Sequence, residues 1–264
     1  MLRTVCLAPW RALLAVYDHL VIYGGVTLLG VLCLAWTPCT IVLFPFLPAR
    51  KARALARWVT MMGFRFYLAC LSASRRFSFD MSALDALRDA PPLIIAPNHP
   101  CMLDALIVIS RLPNVACVMK TELMDNFFLG AGARFAWYIR NDPGRRMVHL
   151  AIDDVRSGSH LLLFPEGTRS VVDPVNPLKG SVGLIAWQAQ VPVQTVLIET
   201  DSRYLTKGWG LFRKPPMPLH YRARLGKRFD PPRNLQPFMN ELEAYFSHEL
   251  VQGSAFHAPC SLAV

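Results

Sequence analysis

The sequence predicts an α/β fold, in which a mostly parallel sheet is flanked by helices and follows a hydrophobic helical membrane anchor. The anchor is predicted from Leu20–Ala49, a run of 30 residues without a charged side chain, because about 20 apolar residues cross a bilayer as a helix. The sheet is predicted from short apolar segments that alternate with helical ones after Asp89. We expect residues 1–72 to form the anchor with interfacial helices, and residues 73–264 to form the α/β domain.

The apolar run is followed by more basic residues than precede it, and it contains prolines. Two arginines precede it, whereas four basic residues follow it between Arg50 and Arg57, so the positive-inside rule predicts that the rest of the chain is cytoplasmic. Thr37-Pro38 is expected to break the run, and Pro45 and Pro48 to end it. Two arrangements stay open: a true span, or a re-entrant or surface-lying hairpin that turns back after Trp36.

The elements that follow are predicted from apolar periodicity and from turn residues. A helix that lies at the membrane interface is expected over 54–71. Strands are expected over 93–96, 114–119, 137–139, 161–164, 193–199 and 221–229, and helices over 102–112, 127–136, 147–156, 181–190 and 239–251.

Composition indicates contact with lipid and with anionic partners. Hydrophobic residues make up 53% of the chain and charged residues 17%, with a mean hydropathy of +0.30 and a net charge of +10. The charge is concentrated in Arg50–Arg76, with seven basic residues and no acid, and in Arg203–Arg233, with nine basic residues and one acid. The first run follows the apolar segment, which favours a membrane surface. Seven cysteines without Cys-x-x-Cys spacing indicate neither a disulfide framework nor a metal site.

The first candidate for chemistry is the segment from Asn98 to Asp104. His99 directly follows a buried strand, and Asp104 lies about one helical turn into the next helix. A carboxylate on one imidazole nitrogen fixes the tautomer and leaves the other nitrogen free as a base. The pattern predicts a general base, although a capping histidine beside an ordinary surface aspartate fits the same spacing.

The second candidate is the turn Phe164-Pro165-Glu166-Gly167-Thr168-Arg169-Ser170, which follows another predicted strand. The guanidinium of Arg169 can bind a phosphate through two hydrogen bonds. Glu166 can orient that guanidinium or hold a substrate hydroxyl. A third set, Lys120, Arg140 and Lys179, lies just past strands or beside turns, where solvated charge is the ordinary interpretation.

Taken together, these segments resemble the glycerolipid acyltransferase family, whose best-known members are the 1-acylglycerol-3-phosphate acyltransferases. Asn98–Asp104 resembles the first family motif and Phe164–Ser170 the third. Tyr138–Arg140 resembles the second motif and Val191–Val193 the fourth. The resemblance covers about residues 90 to 200.

The resemblance implies direct acyl transfer to a lysolipid hydroxyl, with His99 as base and Asp104 orienting it. The donor would be acyl-CoA or an acidic acyl carrier protein, and no cofactor or metal would be required. It implies a substrate site built from these residues: Asn98, Lys120, Arg140, Glu166, Gly167, Thr168, Arg169 and Lys179. It further implies a membrane enzyme with its site on the cytoplasmic side, as at a bacterial inner membrane.

One departure from the family pattern affects the acceptor. Residues 170–178 read Ser-Val-Val-Asp-Pro-Val-Asn-Pro-Leu, with two prolines and a single charge. This loop borders the expected headgroup site, so the acceptor is either 1-acylglycerol-3-phosphate or another lipid, such as lyso-ornithine lipid or the product of a dedicated pathway.

Two other classes of protein fit parts of the sequence. A membrane-anchored hydrolase would need a nucleophile near His99; Gly-x-Ser-x-Gly is absent and Cys101 is the candidate. A nucleic-acid binder would fit the net charge, but the basic runs lack a fold signature or a stacking aromatic pattern. We therefore expect no nucleic-acid partner.

Overall fold

A computed structural model describes residues 7–43, 46–126, 130–142, 145–172 and 174–253. Its centre is a seven-stranded sheet with the order β1-β7-β6-β2-β5-β3-β4. The strands are β1 (Phe77–Asp80), β2 (Ile94–Pro97), β3 (Val115–Met119), β4 (Ile139–Arg140), β5 (His160–Leu162), β6 (Val193–Thr200) and β7 (Leu219–Phe229).

Five adjacent strands of the sheet, from β6 to β4, are parallel. β7 runs antiparallel to β6 and carries β1 in parallel on its outer side. The predicted mostly parallel sheet is therefore confirmed. Because β2 is the fourth of the seven strands, the residues after Pro97 emerge at the centre of one sheet edge.

Helices cover both faces of this sheet. They are α1 (Leu7–Leu43), α2 (Ala49–Ala73), α3 (Asp104–Ile109), α4 (Thr121–Met124), α5 (Gly130–Phe135), α6 (Arg145–Arg156), α7 (Ser181–Ala189) and α8 (Leu235–Gly253). One core joins the sheet to α1, α2, α3 and α5, and the other joins it to α6, α7 and α8. Neighbouring residues of a strand point to opposite faces, and so Ile95 belongs to the first core and Ile94 to the second.

Most predicted elements of the α/β part have counterparts in the structure, with shifted ends. The helix expected over 102–112 is only α3, and the strand expected over 137–139 is only β4. Residues 127–129 of another predicted helix lie outside the described residues. Three short elements of the structure were not predicted from the sequence: β1, a 3₁₀ helix at Ser82–Leu87, and α4.

The predicted break at Thr37-Pro38 is wrong, because α1 continues through Pro38 to Leu43. The position of the turn in the hairpin alternative, after Trp36, is therefore also wrong, although α2 does pack back against α1. Proline removes one backbone hydrogen bond, a loss that side chains can partly offset in apolar helices. The carbonyl that Pro38 leaves without an N–H partner is that of Leu34, and the Thr37 hydroxyl donates to the neighbouring Cys33 carbonyl at 3.2 Å. Pro45 lies outside the described residues, and Pro48 immediately precedes α2.

The membrane-facing role predicted for the whole first basic run is wrong for Arg57. Its side chain is 1% exposed, and its guanidinium donates to both carboxylate oxygens of Asp154 at 3.0 Å. It also donates to the Ala136 carbonyl and to the Ser159 hydroxyl. An arginine fork satisfies several acceptors at once, so Arg57 ties α2 to the α/β layers.

Candidate active site

His99 is positioned by the end of β2, the central parallel strand. Asn98 extends the β2–β6 pairing beyond Pro97: its amide nitrogen donates to the Ile198 carbonyl at 3.0 Å, and its amide oxygen accepts from the Ile198 N–H at 2.7 Å. A buried amide that satisfies backbone groups on both sides is fixed in place. Asn98 therefore holds the backbone that carries His99, a positioning function that the sequence did not reveal.

The predicted His99–Asp104 contact is present. Nδ1 of His99 lies 2.9 Å from Oδ2 of Asp104, which is fully buried in the first turn of α3. Since a carboxylate only accepts hydrogen bonds, Nδ1 carries the hydrogen and Nε2 is left as the basic nitrogen. The ring is 17% exposed and stacks on Phe164, with ring centroids 3.9 Å apart. An imidazole held in this way can act as a general base.

Cys101 holds the same carboxylate from the other side. Its N–H donates to Oδ2 of Asp104 at 2.8 Å, and its thiol donates to Oδ1 at 3.0 Å. Burial, together with the nearby Asp104, raises the pKa of the Cys101 thiol well above its usual value. A nucleophilic cysteine needs an accessible thiolate, and the geometry of Cys101 therefore does not favour the thiol hydrolase.

The Glu166 carboxylate is bonded to the backbone of His99 and not to the Arg169 guanidinium. It is 1% exposed and accepts from the His99 N–H at 2.9 Å, the Ser170 hydroxyl at 2.7 Å and the Asn176 N–H at 3.0 Å. The Ser170 N–H in turn donates to the His99 carbonyl at 2.8 Å. The segment after β5 therefore clamps the backbone of His99 on both its N–H and its carbonyl.

The turn within Phe164–Ser170 requires glycine at position 167. Gly167 has a φ of +68°, and a Cβ there would meet Cγ of Lys179 at 3.3 Å. The Lys179 N–H donates to the Pro165 carbonyl at 2.7 Å. Thr168 lies half-buried between Gly167 and Arg169. The turn brings the Lys179 stem close to the motif while its side chain stays exposed.

Arg169 is held by the segment that follows β6. One guanidinium nitrogen donates to the Leu205 and Thr206 carbonyls, at 2.9 and 3.0 Å. The Leu205 carbonyl also accepts from the Met102 N–H at 3.2 Å. Leu205 has a φ of +59°, an uncommon conformation for a leucine. The remaining guanidinium donors of Arg169 are available to an anionic group.

Lys120 and Arg140 lie farther along the same edge. β3 is two strands from β2 and β4 is three, and the usual strand spacing makes these separations about 10 and 14 Å. Arg140 pairs with Asp125 at 2.9 Å, a contact that raises the pKa of the guanidinium. The six residues Asn98, His99, Asp104, Glu166, Gly167 and Arg169 lie in one connected cluster, which Lys120 and Arg140 extend along the sheet edge.

Three residues of the cluster were not predicted to support the site. Phe164 supports the His99 ring, Asn176 organises the loop 170–178, and Leu205 binds Arg169. Asn176 accepts from the Val171 and Val172 N–H groups. The motif contained Phe164, but nothing in the local sequence marked Leu205.

The fold and cluster define an α/β protein with an oriented His–Asp pair at the carboxyl edge of its central strand. Residues 78–199 match the family model described as Acyltransferase. Human 1-acyl-sn-glycerol-3-phosphate acyltransferase beta is 31% identical over 136 residues, which cover 45% of this chain and 45% of that protein. The chain thus aligns with less than half the length of this curated relative.

A solved structure shares the fold. The crystal structure of the 1-acyl-sn-glycerophosphate (LPA) acyltransferase PlsC from Thermotoga maritima has a TM-score of 0.69 at 20% identity, and the match covers 93% of this chain and 98% of that one. Together, the Acyltransferase match over residues 78–199 and these relatives support a glycerolipid acyltransferase family for this chain.

Proposed function

We propose that this protein transfers a fatty acyl group from acyl-CoA or acyl-acyl carrier protein to the hydroxyl of a lysolipid, with 1-acylglycerol-3-phosphate as the acceptor. The observation that carries the proposal is the 2.9 Å contact between His99 and the buried Asp104. The family and the names of its relatives supply the reaction class and the acceptor.

In the proposed reaction, Nε2 of His99 takes the proton from the acceptor hydroxyl as its oxygen attacks the thioester carbonyl. The carbon–oxygen bond forms, the carbon–sulfur bond breaks, and the departing sulfur takes the proton from the imidazolium. The products are the acylated lipid and the free thiol of the carrier. Asp104 keeps the hydrogen of the neutral His99 ring on Nδ1 and stabilises the imidazolium, as in other oriented histidine bases.

The acceptor's headgroup would lie against Arg169. The guanidinium donors that the Leu205 and Thr206 carbonyls do not use can form paired hydrogen bonds to a phosphate. Lys179, Lys120 and Arg140 would add positive charge around the headgroup and the anionic donor. Glu166 would act as a positioning residue, since both of its oxygens are bonded within the protein.

We further propose that the protein binds the membrane through α1. The sheet edge that carries His99, called the catalytic edge below, would lie on the cytoplasmic side, as at a bacterial inner membrane. In the described residues, α1 is the one helix long and apolar enough to cross a bilayer. One of its faces is nevertheless packed on the protein: Asp18 pairs with Arg76, Ile22 is buried, and Gly25 lies against Leu71.

This packing favours an α1 that contacts lipid on one side only. Residues 18–36 rise about 27 Å along the helix axis, and over this length α1 touches α2 and α5. A perpendicular span would draw the exposed Arg65 of α2 toward the hydrocarbon, which is costly for a charge. The exposed stripe, which includes Trp10, Leu13, Leu20 and Tyr23, would instead lie in one leaflet.

A panel of lysolipids tests the proposed reaction. The purified protein in detergent is incubated with labelled acyl-CoA or acyl-acyl carrier protein and with 1-acylglycerol-3-phosphate, lyso-ornithine lipid or neutral monoacylglycerol, and the products are read by mass spectrometry. We expect acylation of 1-acylglycerol-3-phosphate that is lost in His99→Ala. Acylation of a different lipid alone would replace the acceptor, and release of free fatty acid without acylated lipid would overturn acyl transfer.

A further inference from the structure

The loop that joins β6 to β7, residues 201–218, has the composition of a membrane-contacting segment. From position 203 to 218 it carries four cations, Arg203, Lys207, Arg213 and Lys214, and no acidic residue. At its tip Leu211 and Phe212 are 42% and 55% exposed. Exposed apolar side chains flanked by cations are typical of segments that lie on anionic lipid surfaces.

The loop is folded on itself rather than extended. The Trp209 indole N–H donates to the Arg213 carbonyl at 2.9 Å, and the Arg213 guanidinium lies 4.7 Å from the centroid of the Trp209 ring. The Arg213 N–H also donates to the Gly210 carbonyl. These contacts close a turn around Leu211 and Phe212, so that the two apolar side chains project together from an ordered tip.

Two contacts join this loop to α1. Phe212 stacks on Tyr23, with ring centroids 5.6 Å apart, and Lys214 pairs with the buried Asp18 at 3.4 Å. Tyr23 belongs to the exposed apolar stripe of α1. The tip of the loop therefore continues the surface that α1 offers to lipid.

The other end of the loop reaches the candidate active site. The Leu205 carbonyl accepts from the Arg169 guanidinium and from the Met102 N–H, and Leu205 holds a positive φ to do so. Backbone strain of this kind is often found at functional sites. A single loop thus links the lipid-facing surface of α1 to the arginine proposed to bind the headgroup.

We propose that the β6–β7 loop is a second membrane contact, which docks Leu211 and Phe212 into an anionic phospholipid surface beside the catalytic edge. Continuity with α1 and the exposed cations Arg203, Lys207 and Arg213 identify the partner as that surface. The inference rests on the proposed function, because it assumes that the site receives its acceptor from the membrane. Docking there would bring the membrane-borne acceptor to Arg169.

The position of the tip can be measured without any enzymatic activity. A polarity-sensitive fluorophore is attached to Leu211→Cys in full-length protein reconstituted with phosphatidylglycerol and phosphatidylcholine, and quenching by a lipid-borne quencher is recorded. The matched control is Leu150→Cys on α6, since Leu150 is similarly exposed at 45% but lies on the opposite face of the sheet. Labelled unsubstituted protein gives the background from native cysteines.

We expect clear quenching at position 211 and little at position 150. Equal, background-level quenching at both positions would overturn the membrane contact. Reconstitution with phosphatidylcholine alone should reduce the quenching at 211, because the exposed cations would lose their anionic partners.

Kinetics test whether the contact delivers substrate. The variant Leu211→Ser/Phe212→Ser should raise the apparent KM for an acceptor presented in vesicles by about tenfold, a change that corresponds to less than the full burial of one such side chain. The rate with a short-chain acceptor dissolved as monomers should not change. Equal losses on both acceptors would overturn membrane delivery, whereas absence of all acyl transfer would count against the proposed function and leave the quenching result valid.

Discussion

At the scale of single residues, His99 is constrained from four directions. Asp104 binds one ring nitrogen, Phe164 stacks on the ring, Glu166 accepts the backbone N–H, and Ser170 donates to the backbone carbonyl. An imidazole held this way would need little reorganisation to act as the proposed base. Three of these four partners come from the single segment that follows β5.

The first prediction concerns the base itself. His99→Ala should lower kcat by at least about a hundredfold, which is the usual contribution of general acid–base catalysis. Asp104→Asn should also lower kcat strongly, because an amide no longer stabilises the imidazolium. Steady-state kinetics and the thermal unfolding midpoint should be measured together. Near-normal turnover in folded His99→Ala would reject the mechanism.

The second prediction separates positioning from substrate binding at Glu166. In Glu166→Gln the amide NH₂ cannot accept, so one of three buried donors loses its partner, at a cost of about 1–3 kcal/mol in stability. We expect kcat to fall while the acceptor's KM stays the same. Ser170→Ala, which removes one donor and keeps the carboxylate, is the control and should have a smaller effect. A rise in KM alone would restore the direct substrate contact predicted from sequence.

The third prediction concerns Arg169. Lysine cannot copy the planar fork that reaches the Leu205 and Thr206 carbonyls and still presents donors to a phosphate. Arg169→Lys should raise the acceptor's KM and leave the donor's nearly unchanged. If the headgroup contact tightens only in the transition state, kcat would fall instead. Unchanged kinetics toward every active acceptor would mean that the arginine is only structural.

At the scale of elements, α2 is an integral part of the fold and not only a connection from the anchor. It contributes Leu68 and Leu71 to the same core as β2 and α3. Its arginines Arg53 and Arg57 converge on Asp154 at the end of α6. The domain boundary predicted at residue 72 marks a change in composition. The core and the ion pairs nevertheless join α2 to the α/β domain across this boundary.

The fourth prediction tests this connection. Arg57→Met should destabilise the protein by about 3 kcal/mol, because it removes the buried partner of Asp154. That loss corresponds to a fall in the unfolding midpoint of about 6–12 °C. Arg53→Met is the control, and since Arg53 is partly exposed it should cost about 1 kcal/mol or less.

The double variant Arg57→Met/Asp154→Leu provides a second check. Replacing both buried charges by apolar groups avoids a buried carboxylate that is held by Arg53 alone, so it should recover much of the lost stability. A double variant as unstable as Arg57→Met would show that packing, and not the ion pair, accounts for the effect.

At the scale of the whole molecule, the proposed membrane contacts lie on the face of the sheet that α1 and α2 cover. α1, α2 and the β6–β7 loop belong to this side, whereas α6, α7 and α8 cover the other. The catalytic edge lies between the two faces, where β2 and β5 end. With the membrane on that face, as proposed, a lipid acceptor would reach His99 without leaving the bilayer surface.

The fifth prediction concerns this placement. Full-length protein should stay with membranes after alkaline carbonate extraction, and a cysteine introduced at the exposed Arg11 should react with an impermeant thiol reagent from the side on which Leu150→Cys reacts. Reaction of the two sites from opposite sides would establish a span instead. Recovery of the protein in the soluble fraction without detergent would contradict membrane binding altogether.

The sequence by itself determined the α/β class, the apolar α1, and the two motifs that meet at His99. It could do so because strand and helix periods, turn residues and the spacing from His99 to Asp104 are local properties of the chain. The one long-range conclusion, that the motifs share a site, came from the family resemblance.

The tertiary structure alone decided which side chains reach His99 and which face water. Strand order places β5 beside β2 and β4 three strands away, so Glu166 supports His99 while Arg140 lies at the far end of the edge. Packing buries Arg57, whose charge in the sequence looked like that of its exposed neighbours Arg50 and Lys51. Burial and long-range pairing depend on residues distant in the chain, and no local pattern records them.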